Sequence, residues 1–265
     1  MRKGLFVTGT DTNVGKTWVT AALAAYTFRK LGGLPSPVEI WKPVQSGVQL
    51  GDPDADSFRL AYGSGLPQTE PETVTITLRE PLAPWVAAER EGKTIGWAAL
   101  ESEGRRRMTE GGPLLVEGAG GLLVPLTGDR TVADLALALG LPLLIVARAT
   151  LGTVNHTLMT IECARSRGLD VAGVILNGYE EENDTSLVDN VRMIERFGGT
   201  SVWATLPWMP MERMLSNPIE WGKWRHVWTE LLEERLRWNE IGRFFLKGNR
   251  WFKVVKNSNV EGISK

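Results

Sequence analysis

The 265-residue chain has little of several features that would mark a specialised class of protein. It has one cysteine, Cys163, so no internal disulfide can form, which is typical of a reducing compartment. Its longest apolar run, residues 141–147, is far shorter than the roughly 20 residues that a membrane-spanning helix needs. Its 30 Lys and Arg against 31 Asp and Glu leave a net charge of −1, so no overall field attracts nucleic acid or a membrane surface. We therefore expect a cytoplasmic protein that binds neither.

Charge and tryptophan are unevenly spread along the chain. Residues 221–265 contain ten Lys and Arg but only five Glu, a net charge of +5, and seven of the 11 tryptophans lie after residue 200. The apolar content of 43% is otherwise that of an ordinary globular protein. We interpret residues 1–215 as one domain and residues 216–265 as a helical, Trp-rich C-terminal appendage.

Short runs of leucine and β-branched residues alternate with longer helical patterns. The predicted strands are residues 4–8, 38–42, 114–117, 143–147, 171–177 and 201–206. The predicted helices are residues 17–30, 56–62, 96–110, 131–139, 155–167 and 186–197. Most of the strands are apolar at successive positions, as strands covered on both faces must be. The alternation predicts an α/β fold, in which helices cover both faces of a mainly parallel sheet.

A glycine loop follows the first predicted strand and leads directly into a helix. Its sequence is Gly9-Thr-Asp-Thr-Asn-Val-Gly-Lys-Thr17. Backbone amides of such a loop bind phosphate, Lys16 would add a charge, and Thr17 would offer its hydroxyl to Mg²⁺. Gly9 lies six residues before Gly15, one more than in the usual phosphate-binding loop. The strand–loop–helix context nevertheless favours a phosphate loop over a chance Gly-Lys-Thr.

Two further predicted strands end in a charged residue that is followed by small residues. Lys42 precedes Pro-Val-Gln-Ser-Gly47; on spacing alone, a solvated end charge and a cation for a transferring phosphoryl group are about equally favoured. Glu117 precedes glycines, which let a ligand approach the backbone, so we interpret it as a Mg²⁺ ligand or water-holding residue. Three more acids lie near the start of a predicted helix, where an acid is often only a cap: Asp52, Asp54 and Asp56.

These segments resemble, in order and spacing, the dethiobiotin synthetase family of P-loop proteins. The resemblance covers about residues 3–209 and rests on the loop from Gly9 to Thr17 and on four further segments. These are Lys42-Pro-Val-Gln-Ser-Gly47, Val116-Glu-Gly-Ala-Gly-Gly121 with Val124-Pro-Leu126, Leu151-Gly-Thr-Val-Asn-His156 and Leu206-Pro-Trp208.

Two related classes resemble the chain less closely. Partition ATPases have a similar elongated loop but usually carry a lysine at the position of Asp11. Cobyrinic acid amidases add a glutaminase domain with a nucleophilic cysteine, for which this chain has no room.

The resemblance implies an ATP-dependent ligase of biotin synthesis, a dethiobiotin synthase. Such an enzyme converts 7,8-diaminononanoate, CO₂ and ATP, with Mg²⁺, into dethiobiotin, ADP and phosphate. One amine would capture CO₂ as a carbamate, which attacks the γ-phosphate to give a carbamic-phosphoric anhydride, and the second amine would then close the ring. The family also implies a homodimer with composite active sites, because the helix that starts near residue 152 would come from the partner subunit.

The resemblance further implies roles for individual residues. Lys42 and Lys16 would be catalytic, and Thr17, Asp56 and Glu117 would bind Mg²⁺, with Asp54 a close rival of Asp56. The ATP-binding residues would be Asn13, Val14, Gly15, Lys16, Thr17, Trp18, Asp56, Glu117, Gly118, Ala119, Gly120, Asn177, Gly178, Pro207, Trp208 and Met209. The diaminononanoate-binding residues would be Thr12, Lys42, Ser46, Gly152, Thr153, Val154 and Asn155.

Two features depart from the family's pattern. Asn13 stands where some members carry an acid, and the tail exceeds the family's common length. In the tail, five apolar residues recur at the spacing of one helix face: Trp221, Trp224, Trp228, Leu231 and Leu232. We predict that this stripe packs on its own domain, ahead of a subunit interface and, last, a membrane surface.

Overall fold

The computed structural model describes residues 4–32, 38–110, 112–180, 185–209 and 218–246. The strands in these residues are β1 (Gly4–Gly9), β2 (Glu39–Ser46), β3 (Val74–Leu78), β4 (Leu114–Gly121), β5 (Leu143–Arg148), β6 (Val171–Tyr179) and β7 (Val202–Pro207). The helices are α1 (Lys16–Lys30), α2 (Asp56–Ser64), α3 (Glu70–Thr73), α4 (Pro84–Arg90), α5 (Trp97–Glu110), α6 (Val132–Leu139), α7 (Thr153–Ser166), α8 (Thr185–Gly198), α9 (Pro218–Arg235) and α10 (Trp238–Ile241). A 3₁₀ helix, Gly242–Phe244, follows α10.

The described strands form one parallel sheet in the order β3-β2-β4-β1-β5-β6-β7. The first strand lies at its centre, between β4 and β5. Because all pairings are parallel, the carboxyl ends of the strands meet at one edge, where ligands of such sheets bind. The glycine loop, Lys42 and Glu117 therefore come to the same edge.

Both faces of the sheet are covered, which explains the continuous apolar strands. In β1, Leu5 and Val7 belong to the core that includes α1 and α9, whereas Phe6 between them belongs to the core that includes α5 and α6. All three side chains are buried. The predicted α/β architecture, a parallel sheet in a P-loop domain with helices on both faces and a helical Trp-rich C-terminal region, is confirmed.

The prediction missed three elements between residues 47 and 112: α3, β3 and α4. The β3 sequence Val74-Thr-Ile-Thr-Leu78 alternates apolar and polar residues, and its two threonine hydroxyls accept hydrogen bonds from Trp41 and Gln45 of the neighbouring strand β2. Helix α4 begins with Pro84, a residue type that breaks a helix when it lies in the interior. A proline is well accommodated in the first turn of a helix, where its missing N–H would have had no partner.

The C-terminal helix α9 packs on the same domain. Trp221, Trp224, Trp228 and Leu232 are buried in the core that also contains Leu5. Packing on its own domain is thus confirmed as the role of the stripe. The boundary at residue 215 and the tail after residue 246 lie outside the described residues, so the division into two domains stays a prediction. None of the described helices is long and apolar enough to cross a bilayer.

Two glycines predict opposite effects of the same substitution. A Cβ at Gly173 in β6 would lie 2.2 Å from Cε2 of the buried Trp203, so Gly173→Ala should destabilise by about 1–3 kcal/mol through overpacking. At Gly222 inside α9 the nearest atom is 3.9 Å away, so Gly222→Ala should stabilise by about 0.5–1 kcal/mol by favouring the helix. Urea unfolding of both variants measures this, and shifts of the same sign would contradict the packing described.

Candidate active site

The phosphate loop between β1 and α1 curls around the side chain of Lys16. The Nζ atom of Lys16 donates a hydrogen bond to the carbonyl of Asp11 at 3.0 Å, and the residue is only 7% exposed. Gly15 has a φ of 89°, and a Cβ there would lie 2.1 Å from Nδ2 of Asn177, so glycine is required at this position. Asn13 also adopts a left-handed backbone, with a φ of 57°. The loop thus holds a buried ammonium that is bonded to a neutral carbonyl and remains available to an anion.

A second cluster surrounds the side chain of Lys42 in the middle of β2, beside Glu117 in the middle of β4. The predicted strands ended at these two residues, but both strands run on for four more. Its Nζ atom lies 2.6 Å from Oδ2 of Asp56 and 2.7 Å from Oε1 of Glu117, and it donates to the carbonyl of Gly118 at 3.3 Å. Lys42 is 1% exposed and Glu117 is fully buried. Neither is therefore a solvated strand-end charge. The hydroxyl of Thr17 completes the cluster, 2.8 Å from Oδ1 of Asp56 and 3.0 Å from Oε1 of Glu117.

The charges of these groups act on one another. Burial lowers the pKa of Lys16, and the positive charge of Lys42 lowers it further. Burial acts in the same direction on Lys42, but the carboxylates of Asp56 and Glu117 outweigh it and raise the pKa of that ammonium above its usual value. Burial would raise the pKa of Asp56, but the neighbouring Lys42 keeps it below the usual value. Lys42 is therefore charged at neutral pH and is held as part of an ion cluster.

The oxygen atoms of the cluster are arranged as a hard cation would require. Thr17 has one hydroxyl proton and can donate it to Asp56 or to Glu117 but not to both at full strength. The second oxygen of Glu117, Oε2, is buried without a hydrogen-bond partner. Neighbouring ligands of an octahedral Mg²⁺ at 2.0–2.1 Å stand about 3.0 Å apart, close to the 2.8 and 3.0 Å separations from the Thr17 hydroxyl.

The cluster lacks a purely protein-made metal cage. No group of three or more His, Cys, Asp or Glu in the described ranges could hold a metal by itself. This pattern suits Mg²⁺, which usually takes one or two carboxylates and completes its shell with water and substrate phosphates.

The two rival aspartates have different environments. Asp56 is the first residue of α2 and contacts both Thr17 and Lys42. Asp54 is largely exposed and is paired with the guanidinium of Arg59. The geometry therefore favours Asp56 as the acid of this cluster.

The glycine end of β4 lies beside the phosphate loop. Gly121 pairs in register with Gly9, and a Cβ at Gly120 would lie 3.7 Å from Oγ1 of Thr12. The predicted nucleotide residues of this segment are four consecutive residues of β4: Glu117, Gly118, Ala119 and Gly120.

Several predicted ATP-binding residues lie together near the ends of β6 and β7. The amide of Asn177 donates to the carbonyl of Val14 in the phosphate loop at 3.0 Å. The backbone N–H of Trp208 donates to the carbonyl of Tyr179 at 2.7 Å. This bond joins the end of β6, where Asn177 lies, to the segment after β7. The indole of Trp208 is 62% exposed. A flat, exposed aromatic ring is a surface on which a nucleobase can stack.

Pro207, Trp208 and Gly178 are adjacent in this arrangement. Pro207 is the last residue of β7 and pairs in register with Tyr179, and a Cβ at Gly178 would lie 3.8 Å from the indole of Trp208. Met209 packs partly buried against the core of α1 and α9. Trp18, one residue after Thr17, packs on that same core.

The predicted substrate residues are less closely gathered. Ser46 donates its hydroxyl to the carbonyl of Leu82 at 2.7 Å, whereas Thr12 is exposed at the rim of the phosphate loop. The remaining predicted residues form the start of α7: Gly152, Thr153, Val154 and Asn155. Within the described part of the chain, no hydrogen bond joins this helix start to Thr17, Lys42 or Glu117.

The sequence analysis overlooked an ion pair at the rim of the loop. Arg148, the last residue of β5, donates to the carboxylate of Asp11 at 2.7 Å. Arg148 comes directly after five buried apolar residues, so the pattern of a charge after an apolar run, which identified Glu117, could have identified it too.

A buried hydrogen-bond network behind Asp56 was also overlooked. The side chain of Gln45 accepts from the N–H of Ser57 at 2.9 Å and donates to its hydroxyl at 2.8 Å. The hydroxyl of Ser57 donates to Glu70 at 2.7 Å. This network fixes the first turn of α2, where Asp56 lies.

The fold and site define the class of P-loop nucleotide-binding proteins: an elongated glycine loop after the central strand, with a lysine, a hydroxyl and two carboxylates at its edge. A family model described as "AAA domain" matches residues 3–213. The ATP-dependent dethiobiotin synthetase BioD of Bacillus thuringiensis (strain Al Hakam) is 43% identical over 234 residues, which cover 88% of this chain and 95% of the relative. The enzyme of the same name from Bacillus cereus (strain B4264) is 43% identical over 231 residues, 87% of this chain and 93% of the relative.

The chain therefore belongs to the ATP-dependent dethiobiotin synthetase family, and the resemblance is confirmed. Members of this family are ligases, so the prediction of an enzyme is also confirmed. Among solved structures, the MinC:MinD cell division protein complex of Aquifex aeolicus aligns with 99% of this chain and 97% of its own at 12% identity. The TM-score of that alignment is 0.49.

The ion cluster predicts a strong dependence of stability on charge pairing. Lys42→Met would leave the buried carboxylate of Glu117 without its cation, and we expect a loss of about 3–5 kcal/mol in the free energy of unfolding. Adding Glu117→Gln should recover most of that loss, because the buried charge is then removed. Guanidinium unfolding of the ligand-free variants measures both.

The matched control is Lys93→Met, which removes a lysine from an exposed pair with Glu91. It should cost less than about 1 kcal/mol. A Lys42→Met variant as stable as Lys93→Met would show that the Lys42 charge is not needed to hold the cluster.

Proposed function

We propose that this protein joins 7,8-diaminononanoate and CO₂ in an ATP-dependent reaction that yields dethiobiotin, ADP and phosphate. The observation that carries the proposal is the buried Lys42 cluster beside the phosphate loop, in a chain 43% identical to curated dethiobiotin synthetases. A generic nucleotide hydrolase needs the loop lysine but has no need of a second buried ammonium at the same edge. We infer that Lys42 serves the substrate-derived oxygen that attacks ATP.

The proposed reaction needs positioned charge more than a nucleophilic side chain. One amine of the substrate adds to CO₂ and loses a proton, giving a carbamate. An oxygen of that carbamate attacks the γ-phosphorus as ADP leaves, which forms a carbamic-phosphoric anhydride. The second amine attacks the carbonyl carbon, loses a proton and expels phosphate, which closes the ureido ring.

The two lysines have different roles in this proposal. Lys16 binds the β- and γ-phosphates from the ground state onward, because it is part of the loop that surrounds them. Lys42 stabilises the negative charge on the oxygen that moves between the carbamate and the γ-phosphate. We propose that the diamine end of the substrate is bound by Thr12 and Ser46.

We further propose Thr17, Asp56 and Glu117 as the residues that hold Mg²⁺. Their fit is supported by the converging oxygens and by the unpartnered Oε2 of Glu117. The bound ion would supply positive charge beside the β- and γ-phosphates. At the other end of the nucleotide, Asn177 and Trp208 would bind adenine by hydrogen bonding and stacking.

The start of α7 is proposed to bind the substrate carboxylate of a partner subunit in a homodimer. Helix N-termini attract anions through their free N–H groups. In the single chain, Leu151 before this helix is fully exposed, and Met159 in the middle of the helix is largely exposed. Exposed apolar side chains such as these favour burial in a subunit interface. We also propose a cytoplasmic location, because the single free cysteine, Cys163, is typical of a protein in a reducing compartment.

The direct test of the proposed function is product formation. Purified protein with 7,8-diaminononanoate, bicarbonate and MgATP should form dethiobiotin, with one phosphate released for each ring closed. Omission of the diamine or of bicarbonate should stop both. Phosphate release that is independent of both would show a simple ATPase and overturn the proposal.

Lys42 and Lys16 predict distinct kinetic defects. Lys42→Ala should lower turnover on the order of 10²–10³-fold, the usual loss for one preorganised charge, and leave the affinity for ATP nearly unchanged. Lys16→Ala should damage both, because that lysine contacts the phosphates in the ground state. Calorimetric ATP titration and dethiobiotin assays, run where circular dichroism shows each variant folded, separate these outcomes. Near-normal turnover by Lys42→Ala would remove it from the catalytic residues.

Composite active sites predict recovery of activity when two inactive variants are mixed. Lys16→Ala disables the phosphate loop, and Asn155→Asp places a negative charge where the substrate carboxylate would bind. After mixing and subunit exchange, half of the dimers would be mixed and each would hold one intact site, so about a quarter of wild-type activity should return. Mixing Lys16→Ala with Lys42→Ala is the control, since both changes lie in the same half-site. Equal activity in the two mixtures would contradict a shared site.

A further inference from the structure

The helix α9 packs on several of the elements that carry parts of the proposed ATP site, among them α1, α2 and β7. Its N-terminal half packs on α1 and α2, which begin with the residues around Thr17 and with Asp56. Its last residue contacts β6, which carries Asn177. We propose that α9 is a positioning element of the active site, which sets the distance between the Mg²⁺ ligands at one end and the orientation of the base-binding segment at the other. This inference rests on the proposed function, since it takes this site to be the ATP site.

The contact near the Mg²⁺ ligands is aromatic. Trp221 lies with its ring centroid 6.1 Å from that of Trp18, 6.4 Å from Phe58 and 6.2 Å from Tyr62. Trp18 follows Thr17 directly, and Phe58 lies two residues after Asp56. One indole of α9 therefore packs on both helices immediately beside the residues whose oxygens face each other.

The three helices meet without free space. A Cβ at Gly63 in α2 would lie 3.0 Å from Cβ of Ala21 in α1, 3.2 Å from Trp221 and 3.3 Å from Trp224. In addition, Arg225 donates to the carbonyl of Tyr62 in the last turn of α2 at 2.6 Å. Helix α2 is therefore held against α1 by α9, and a shift of α2 would move Asp56 away from Thr17.

At its other end, α9 contacts the base-binding segment. Arg235 donates a hydrogen bond to the hydroxyl of Tyr179, and its guanidinium lies 5.7 Å from the centre of the Tyr179 ring. Tyr179 follows Asn177 by two residues, and its carbonyl accepts from the N–H of Trp208. The tail thus supports the residue that joins the two proposed adenine-binding segments.

Between its ends, α9 adds ion pairs that contribute little. Arg29 lies 2.6 Å from Glu230, and Lys30 is paired with Glu233, but these side chains are substantially exposed. Exposed pairs are screened by water and salt. The positioning effect is therefore assigned to the buried indole and to the bonds from Arg225 and Arg235.

The experiment compares two tryptophans of the same tail. Trp221→Leu removes the indole beside the Mg²⁺ ligands, whereas Trp238→Leu removes a buried indole that packs on Tyr26 and Phe245. Both should lower the melting temperature. Trp221→Leu alone should raise the Mg²⁺ concentration needed for half-maximal ATP binding and turnover, by about threefold to tenfold, because metal ligands misplaced by a fraction of an ångström bind more weakly.

Arg225→Met provides a variant that keeps the aromatic core and loosens only the bond to α2. It should shift the Mg²⁺ requirement in the same direction by a smaller factor, and it decides the question if Trp221→Leu does not fold. At the base end, Tyr179→Phe removes the hydrogen bond from Arg235. It should raise the KM for ATP by about threefold to tenfold, the size expected for one lost hydrogen bond, and leave kcat little changed. Arg192→Gln, which breaks an exposed pair on α8, is its control and should change neither constant.

Two outcomes would overturn the inference. One is a Mg²⁺ requirement equal to that of wild type in Arg225→Met and in the folded fraction of Trp221→Leu. The other is an equal shift in Trp238→Leu, which would show a general loss of stability. Mg²⁺-dependent ATP binding by calorimetry needs neither diamine nor CO₂. If wild type binds MgATP but forms no dethiobiotin, the proposed reaction fails while the positioning by α9 is still decided.

Discussion

The buried ammonium of Lys42 is the charge on which the arrangement of the site depends. A cation that is 1% exposed must be neutralised by nearby carboxylates, and here they come from a neighbouring strand and from a helix that begins ten residues after β2 ends. For both carboxylates to reach Lys42, β2 and β4 must be adjacent strands in matching register, and the chain must bring the start of α2 back to the same edge of the sheet. The hydroxyl of Thr17 then meets both carboxylates, which joins the phosphate loop to the cluster.

Much of this edge could be predicted because its signals are local. The phosphate loop is recognisable in nine consecutive residues, and Lys42 and Glu117 each close an apolar run that was predicted as a strand, although β2 and β4 continue for four more residues. Parallel strands then bring such ends to one edge without any knowledge of strand order. The sequence could not decide whether Lys42 was solvated or whether Asp54 or Asp56 would reach it. Those answers depend on burial and on the path of residues 47–55, which no periodicity describes.

The features that were missed are those made by contacts distant in sequence or by edge elements. β3 is a five-residue strand at the edge of the sheet, and α4 is a seven-residue helix that begins with a proline. The tryptophan stripe of α9 predicted that one face of this helix is buried, but it did not identify the elements that bury it. Its partners in α1 and α2 are more than 150 residues earlier, and tryptophan spacing contains no information about them.

The hydrogen bond from Asn177 to the carbonyl of Val14 has a consequence for selectivity among nucleobases. A primary amide can turn over by half a rotation, which exchanges its donor and its acceptor, and a freely turning amide would accept either of two complementary base edges. The loop carbonyl can accept only from the N–H₂ group, so it fixes which way the amide faces. One N–H and the carbonyl oxygen remain, and in the proposed site they present a single donor–acceptor pattern to the base. The phosphate loop would thus take part in choosing the base as well as in holding the phosphates, because the residue proposed to bind the base is oriented by the loop proposed to bind the phosphates.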